Sequence, residues 1–599
     1  MYKEEQSFYS NLLDNYKSQL DKIQKKIYSI GTLRLFCVIV TGILLYIFHV
    51  SSMAVIISII LTGTILFCSL CLLHNKLFNR RNYYKSAIAV CRKELQLFQY
   101  DFSGIDAGNR YKDIAHDYIN DLDVFGEKSL FSYLNRSASL IGDVRFAEIL
   151  KDPYIDVDTI KKRQEATAEM AGRTELRIRF QALGGISDEK VSDKNDILNF
   201  ARTPLSVSPV IRIIVRILPY FWVVTAIAVL FDLIGGSWLL LPFLTCAAFA
   251  FLRNKSISQL QTRLSASVSS LKIYARLFQV IEQEQFNSVG LVEISEKLSV
   301  SGEKVSGRIK RLSSILSDLD QRCNAIAFLL LNGFLLWDFR QLARIVDWQR
   351  LNAPHLCAWL DALAEFDVYC TLGTFCYNHP DYSFPILNRP DSPSMKAEEM
   401  GHPLICPEIC VRNGVELPKR PSFIVVTGAN MAGKSTYLRT VGVNFLLAMI
   451  GAPVCAKTME ISPCKLYTSL RTTDSLADNE SYFFAELKRL QRMINRLQQG
   501  ERLFIILDEI LKGTNSIDKQ RGSLALVEHL IKLNAVGVIA THDLQLGALA
   551  EQYPQYIKNF RFEAEIIHDE LFFSYKIQQG IAENMNAYFL MKQMGIITN

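Results

Sequence analysis

The chain has 599 residues, 49% hydrophobic and 21% charged, with a formal net charge of +6. That length predicts several domains of roughly 100–200 residues each, and the composition excludes a disordered chain. The small positive balance neither demands nor excludes a nucleic-acid partner, because such binding rests on a local basic face.

Residues 1–34 are largely polar and predict a cytoplasmic N-terminal helix without a cleavable signal peptide. Leu35–Val50 and Met53–Leu73 carry no Asp, Glu, Lys or Arg, and only Ser51 and Ser52 separate them. A bilayer core of ~30 Å takes ~20 apolar residues per helix, so 35–73 predicts a transmembrane hairpin. Basic residues flank it, Lys22, Lys25, Lys26 and Arg34 before and Lys76, Arg80, Arg81 and Lys85 after. That bias places both ends in the cytoplasm. A second apolar hairpin, 217–252, has Asp232 as its one charge, beside Gly235-Gly236. Its arms are near the lower limit for a span, which leaves a buried hairpin or a re-entrant segment as alternatives. Four spans with both termini inside, in a multi-pass protein of the cytoplasmic membrane, is the consistent topology.

Residues 76–210 and 253–378 read as helical, with Lys255–Leu316 a long amphipathic region at three- and four-residue spacing. Within the second, Lys255, Arg263, Lys272, Lys304, Arg308, Lys310 and Arg311 form either a phosphate-facing stripe or an ordinary solvated face. The proline-rich stretch His379–Pro403 reads as a linker or edge strand. From about 398 to 599 strand and helix alternate. Phe423–Thr427, Leu503–Leu507 and Val536–Thr541 are short β-branched runs that each end at a polar motif, as in a parallel α/β sheet. The thirteen cysteines are an odd, scattered set that argues against a disulfide framework. Cys68 and Cys71 sit inside an apolar run and read as filler, and Cys406 and Cys410 lack the second pair of a metal site.

Gly428-x-x-x-x-Gly433-Lys434-Ser435 matches a phosphate loop, between the strand FIVVT and a helical run. The glycines let backbone N–H groups face phosphate oxygens, and the following helix N-terminus favours negative charge. Lys434 would neutralise the β- and γ-phosphates, and Ser435 would bind Mg²⁺. Leu503–Asp508 is an apolar strand ending in Asp508 and Glu509. Asp508 would complete the Mg²⁺ shell, and Glu509 would orient or activate the attacking water. VGVIATH delivers His542 where a γ-phosphate sensor would sit. The fold class is thus an α/β P-loop domain behind an all-α region with two apolar hairpins, and the substrate is ATP with Mg²⁺.

The wording of TGANMAGKST, with Asn430 and Met431 before Gly433 and Thr436 after Ser435, resembles the MutS family of DNA mismatch-repair ATPases, an ABC-like class. Gly401-His-Pro-Leu404, Pro453-Val-Cys-Ala456, Met459-Glu-Ile461, Asp478–Glu486, Asp508–Asp518 and Ala540-Thr-His542 follow in that family's order, and 129–164 resembles the start of its helical core. The resemblance implies a homodimer of sandwiched ATPase domains in which Ser481 of one subunit completes, in trans, the site that the phosphate loop, Glu509 and His542 of the other form. It implies DNA as a possible partner. Two departures stand out. The residues ahead of the first hairpin leave no room for the family's mismatch-reading domain, and Leu511-Lys512 replaces the usual Gly-Arg. The expected function is a membrane-anchored MutS-type ATPase that still binds DNA. The alternatives are an ATP-driven membrane mechanoenzyme and a nucleotide-switched assembly protein, both without DNA.

Overall fold

The computed structural model describes residues 2–185, 197, 199–200, 203, 205–252, 254–300, 303–389, 394–429, 432–471, 482–511, 515–567 and 570–582. Two long helices, α1 (Lys3–Ile47) and α2 (Met53–Phe98), form an antiparallel hairpin. They run unbroken through the boundaries read at 34 and 73. Their lower ends are anchored: Tyr9 and Leu13 pack against Ile88, Cys91 and Ile178. Glu94, buried on α2, pairs with Arg136 at 3.0 Å and accepts from Asn378. Their apolar ends, from Leu35 to Leu73, are mostly exposed.

Four helices follow, α3 (Leu130–Leu134), α4 (Leu140–Lys151), α5 (Val157–Gly172) and α6 (Thr174–Gly184). Ser129, Ser139 and Asp156 cap the first three by accepting from the N–H three residues on. The second hairpin is α7 (Pro209–Leu230) and α8 (Leu240–Leu252). α7 is long enough to cross a bilayer, whereas the return arm from Gly236 to Leu252 is not. Three helices of the described residues therefore meet the length and composition of a span, α1, α2 and α7, where the sequence reading expected four.

The amphipathic stretch after Lys255 is not one rod. It breaks into α9 (Asn254–Ile281), α10 (Val289–Lys297), the two-residue strands β1 (Ser299–Val300) and β2 (Glu303–Lys304), and α11 (Val305–Asp320). The first break is fixed by Glu169, whose carboxylate accepts from the N–H groups of Asn287 and Ser288. A short apolar helix, α12 (Ala325–Leu335), is joined at 76° to α13 (Trp337–Asn378).

The C-terminal part holds two sheets. The smaller contains β3 (Ile386–Leu387), β4 (Met395–Met400), β5 (Asn413–Leu417) and β7 (Thr458–Ile461), in the order β3-β7-β4-β5. β3 is an edge strand, as the proline-rich stretch suggested. The larger contains β6 (Ser422–Gly428), β8 (Lys465–Ser469), β9 (Leu503–Asp508), β10 (Val536–Thr541), β11 (Ile557–Phe562) and β14 (Gln578–Gln579), in the order β14-β11-β6-β10-β9-β8. All pairs but the last-named edge, β14 on β11, are parallel. The three β-branched runs of the sequence form its centre. Helices α14 (Lys434–Met449), α15 (Tyr482–Gln498), α16 (Ser516–Lys532) and α17 (Leu544–Gln552) connect its strands, and β12 (Ala564–Ile567) pairs with β13 (Glu570–Phe573) beside it.

The helical and C-terminal parts are not separate bodies. One apolar core joins Leu122, Phe131 and Phe146 to Val441, Phe445 and Ile506. The join is also polar. Asp121, fully buried, accepts from Thr468 Oγ1 at 2.6 Å, from the N–H groups of Leu470 and Arg471 at 3.1 Å each, and from Arg489 at 2.9 Å. Arg489, Arg492 and Arg496, spaced along one face of α15, all donate to residues 115–121.

Candidate nucleotide site

The strand register assembles the site. Thr427 on β6 lies opposite Thr541 on β10, and Ala540 on β10 lies opposite Asp508 on β9. The three predicted motifs therefore leave the sheet side by side at its carboxyl edge, where α/β sheets bind ligands. Between β6 and α14 the chain turns at Gly428 (φ +147°) and Gly433 (φ +103°). A Cβ at Gly428 would collide with the Phe562 carbonyl, so the loop runs against β11 only because that residue has no side chain.

Lys434 is buried, and its ammonium donates to the carbonyls of Gly428 at 2.7 Å and Ala429 at 2.9 Å. Ser435 Oγ donates to Asp508 Oδ2 at 2.7 Å. Thr436 is exposed at the rim, and its carbonyl accepts from Thr440. His542 Nε2 lies 2.8 Å from Glu509 Oε1 and 3.3 Å from Lys434 Nζ. Two donors cannot point at one another, so a proton on Nε2 belongs to the shorter contact with Glu509.

Glu509 has φ +52° and Leu511 φ +60°, a region that residues with a Cβ rarely adopt. The turn is held from both sides. Glu509 N–H donates to the Ala540 carbonyl at 2.9 Å, and Leu511 N–H donates to Glu486 Oε1 at 2.7 Å. Glu486, buried on α15, ends the segment that was to carry Ser481. Its role as the anchor of the carboxylate turn was not legible, because sequence motifs do not say which backbone N–H a carboxylate will meet. Ser481, Asn430, Met431 and Lys512 lie outside the described residues.

A cleft of ≈ 410 Å³ opens over the loop, within the size range of small-molecule sites. Its polar end is Ala429, Gly433, Lys434, Ser435 and Thr436; its apolar end includes Ile405, Ile409, Val411, Phe562 and Tyr575. Sequence reasoning missed the apolar end, since its residues come from three distant segments. His402 also lines it, with its pKa pushed down to about 4 by burial and then by Arg439. The Gly401-His-Pro-Leu404 and Pro453-Val-Cys-Ala456 motifs meet here too. Asn444 on α14 donates to the Gly401 carbonyl and accepts from Cys455 N–H, both at 2.8 Å.

These residues fit a magnesium nucleotide. A hydroxyl and a carboxylate share one point, a lysine and a helix N-terminus face the same side, and an apolar slot adjoins them.

Residues 424–593 match the family described as MutS domain V. A DNA mismatch repair protein MutS of Chlorobaculum tepidum is 27% identical over 350 residues, 56% of this chain and 38% of that protein. One of Synechococcus sp. is 35% identical over 194 residues, 31% of this chain and 22% of that protein. The human MutS protein homolog 4 is 28% identical over 238 residues, 38% and 24% of the two chains. The chain thus spans well under half the length of these relatives. With the motifs gathered at one sheet edge and the matched segment covering that sheet, the C-terminal part of the chain is a MutS domain V, and the chain is related to the MutS proteins through it.

Proposed function

We propose that this protein is a membrane-anchored MutS-type ATPase that binds and hydrolyses ATP as a homodimer. The observation that carries the reading is the paired geometry at the sheet edge, Ser435 on Asp508 and His542 on Glu509. Lys434 exchanges its loop carbonyls for phosphate oxygens. Ser435 and Asp508 would hold Mg²⁺, which when bound supplies charge neutralisation on the phosphates. Glu509 orients and deprotonates the attacking water, and His542 fixes the Glu509 carboxylate. Gly428 shapes the loop, the resemblance assigns Asn430 and Met431 to nucleotide binding, and by the same resemblance Ser481 would complete the partner's site. The exposed apolar ends of α1, α2 and α7 support a bilayer as the second partner and the cytoplasmic membrane as the location, with termini and ATPase domain on the cytoplasmic side.

DNA binding, and with it a repair role, is proposed from the family relation. Its test is ATP hydrolysis by purified protein with and without DNA and with and without lipid vesicles. DNA binding with a steep salt dependence supports the repair-like reading. Hydrolysis stimulated by lipid, without DNA binding at low salt, supports the membrane mechanoenzyme instead; the exposed apolar helices favour that second reading. Hydrolysis indifferent to both, with nucleotide-dependent dimerisation, leaves the assembly protein.

A further inference from the structure

We infer that α12 is a third membrane element, a re-entrant helix seated in the acyl region of the leaflet nearest the ATPase domain. The inference rests on the membrane reading above. No charged residue lies between Arg322 and Asp338. On α12 the side chains of Ile326 (72% exposed), Leu329 and Leu330 (48% each) present apolar surface outward, while Phe334 faces the hairpin. The helix packs mainly on the apolar hairpin, with the Arg322 guanidinium of the preceding turn 5.8 Å from its Phe328 ring. Phe334 meets Trp222 of α7 at 5.2 Å and Phe243 of α8 at 4.9 Å, and Phe339 meets Phe249 at 5.1 Å. A Cβ at Gly333 would strike the Phe243 ring. Trp222 lies well inside α7 and Phe243 in the first turn of α8, so α12 lies alongside the apolar part of the hairpin.

It enters and leaves on one side. Arg322 and Asp338, just outside its two ends, are paired at 3.2 Å with both side chains buried. Eleven residues of helix reach about 16 Å, roughly half the ~30 Å of a hydrocarbon core. The ends brought together by that ion pair, with the 76° bend at Leu336 (φ +45°), favour a re-entrant loop over a broken span.

Its polar backbone groups are satisfied from within, as a lipid environment demands. Asn324 Oδ1 accepts from the N–H groups of Ile326 and Ala327 at 3.0 and 3.2 Å. Asn332 Oδ1 accepts from Asp338 N–H at 3.1 Å, and its amide donates to the Phe328 carbonyl at 3.1 Å.

The test is photolabelling of the intact protein in phosphatidylethanolamine–phosphatidylglycerol vesicles with an apolar, carbene-generating aryl diazirine, mapped by peptide mass spectrometry. Leu351 and Ile409, exposed apolar residues away from the proposed membrane surface, set the background (69% and 75% exposed). The expected result is labelling of 325–335 at least fivefold above them, comparable with 53–73 and 213–230. Labelling of 53–73 and 213–230 without 325–335 overturns the inference and leaves the membrane reading intact; a second protein copy covering α12 would give this pattern. Background labelling of all three overturns the membrane reading and this inference with it.

Discussion

Helix α14, behind the phosphate loop, and the upper half of α2 are both rich in apolar side chains over long runs, yet their surroundings are opposite. From Tyr437 to Met449 nearly every residue of α14 is buried, between the large sheet and the helical part. From Met53 to Leu73 most residues of α2 are exposed and only Leu70 is buried. Apolar composition alone cannot separate these cases. The separating feature is whether strands and capping motifs that need covering lie on either side of the helix. A helix that is apolar all round and left uncovered by its own chain marks a surface for a bilayer or a protein partner.

The sharpest way to break this comparison is at the buried, polar-ended side. Glu509→Gln is expected to lower ATP turnover by about 10²–10⁴-fold while nucleotide binding persists, from the usual contribution of a general base. Single-turnover hydrolysis beside equilibrium binding checks it, and accumulation of an ATP-bound dimer is the second expected sign; a monomer under these conditions counts against the sandwiched pair. Lys434→Ala removes the buried ammonium and should weaken ATP binding by roughly 30–1000-fold, the loss for truncating a buried charged contact. Fluorescent-nucleotide titration measures it.

At the join between the two parts, Asp121→Ala leaves Arg489 without its carboxylate and the N–H groups of Leu470 and Arg471 without their acceptor. A loss of about 3–5 kcal/mol is expected by chemical denaturation. Arg471→Ala, which removes the exposed pair with Asp123 at 2.7 Å, should cost about 0–1 kcal/mol in the same assay. Equal losses in the two variants would show that the join is held by its apolar contacts alone.

A smaller effect concerns pH. His379 is buried, donates from Nδ1 to the Phe375 carbonyl and accepts at Nε2 from Tyr133, so it folds neutral; burial pushes its pKa down to about 4. Between pH 4 and about 6.5 the unfolded chain binds the proton that the folded chain refuses. Stability therefore falls as pH drops through that window. His379→Gln, whose amide can give and accept the same bonds, should flatten the slope of denaturation midpoint against pH; an unchanged slope assigns the effect elsewhere, His402 first.

How much was legible follows from the range of each interaction. The phosphate loop, the Asp508-Glu509 pair and His542 are local signals, each tied to a strand end, and parallel pairing brought them together. The apolar slot of Ile405, Ile409 and Tyr575, the Asp121 clamp and the Glu486 anchor join segments tens to hundreds of residues apart, and no periodicity reports them. Helix α12 escaped for a different reason. It is too short for a spanning window, and its bend at Leu336 hides it within what reads as one helical stretch.

Arg163 illustrates what the long helix can do with a small motion. Its guanidinium donates to the Ile450 carbonyl, at the exit of α14, at 3.0 Å and pairs with Glu365 on α13. From Glu365 the helix runs back to Trp337 over about 42 Å at helical rise. A tilt of about 5° at that pivot would carry Trp337, and the apolar turn beyond it, through roughly 4 Å. Ångström-scale adjustment beside the nucleotide is thereby geared up to the displacement of a whole side chain at the far end.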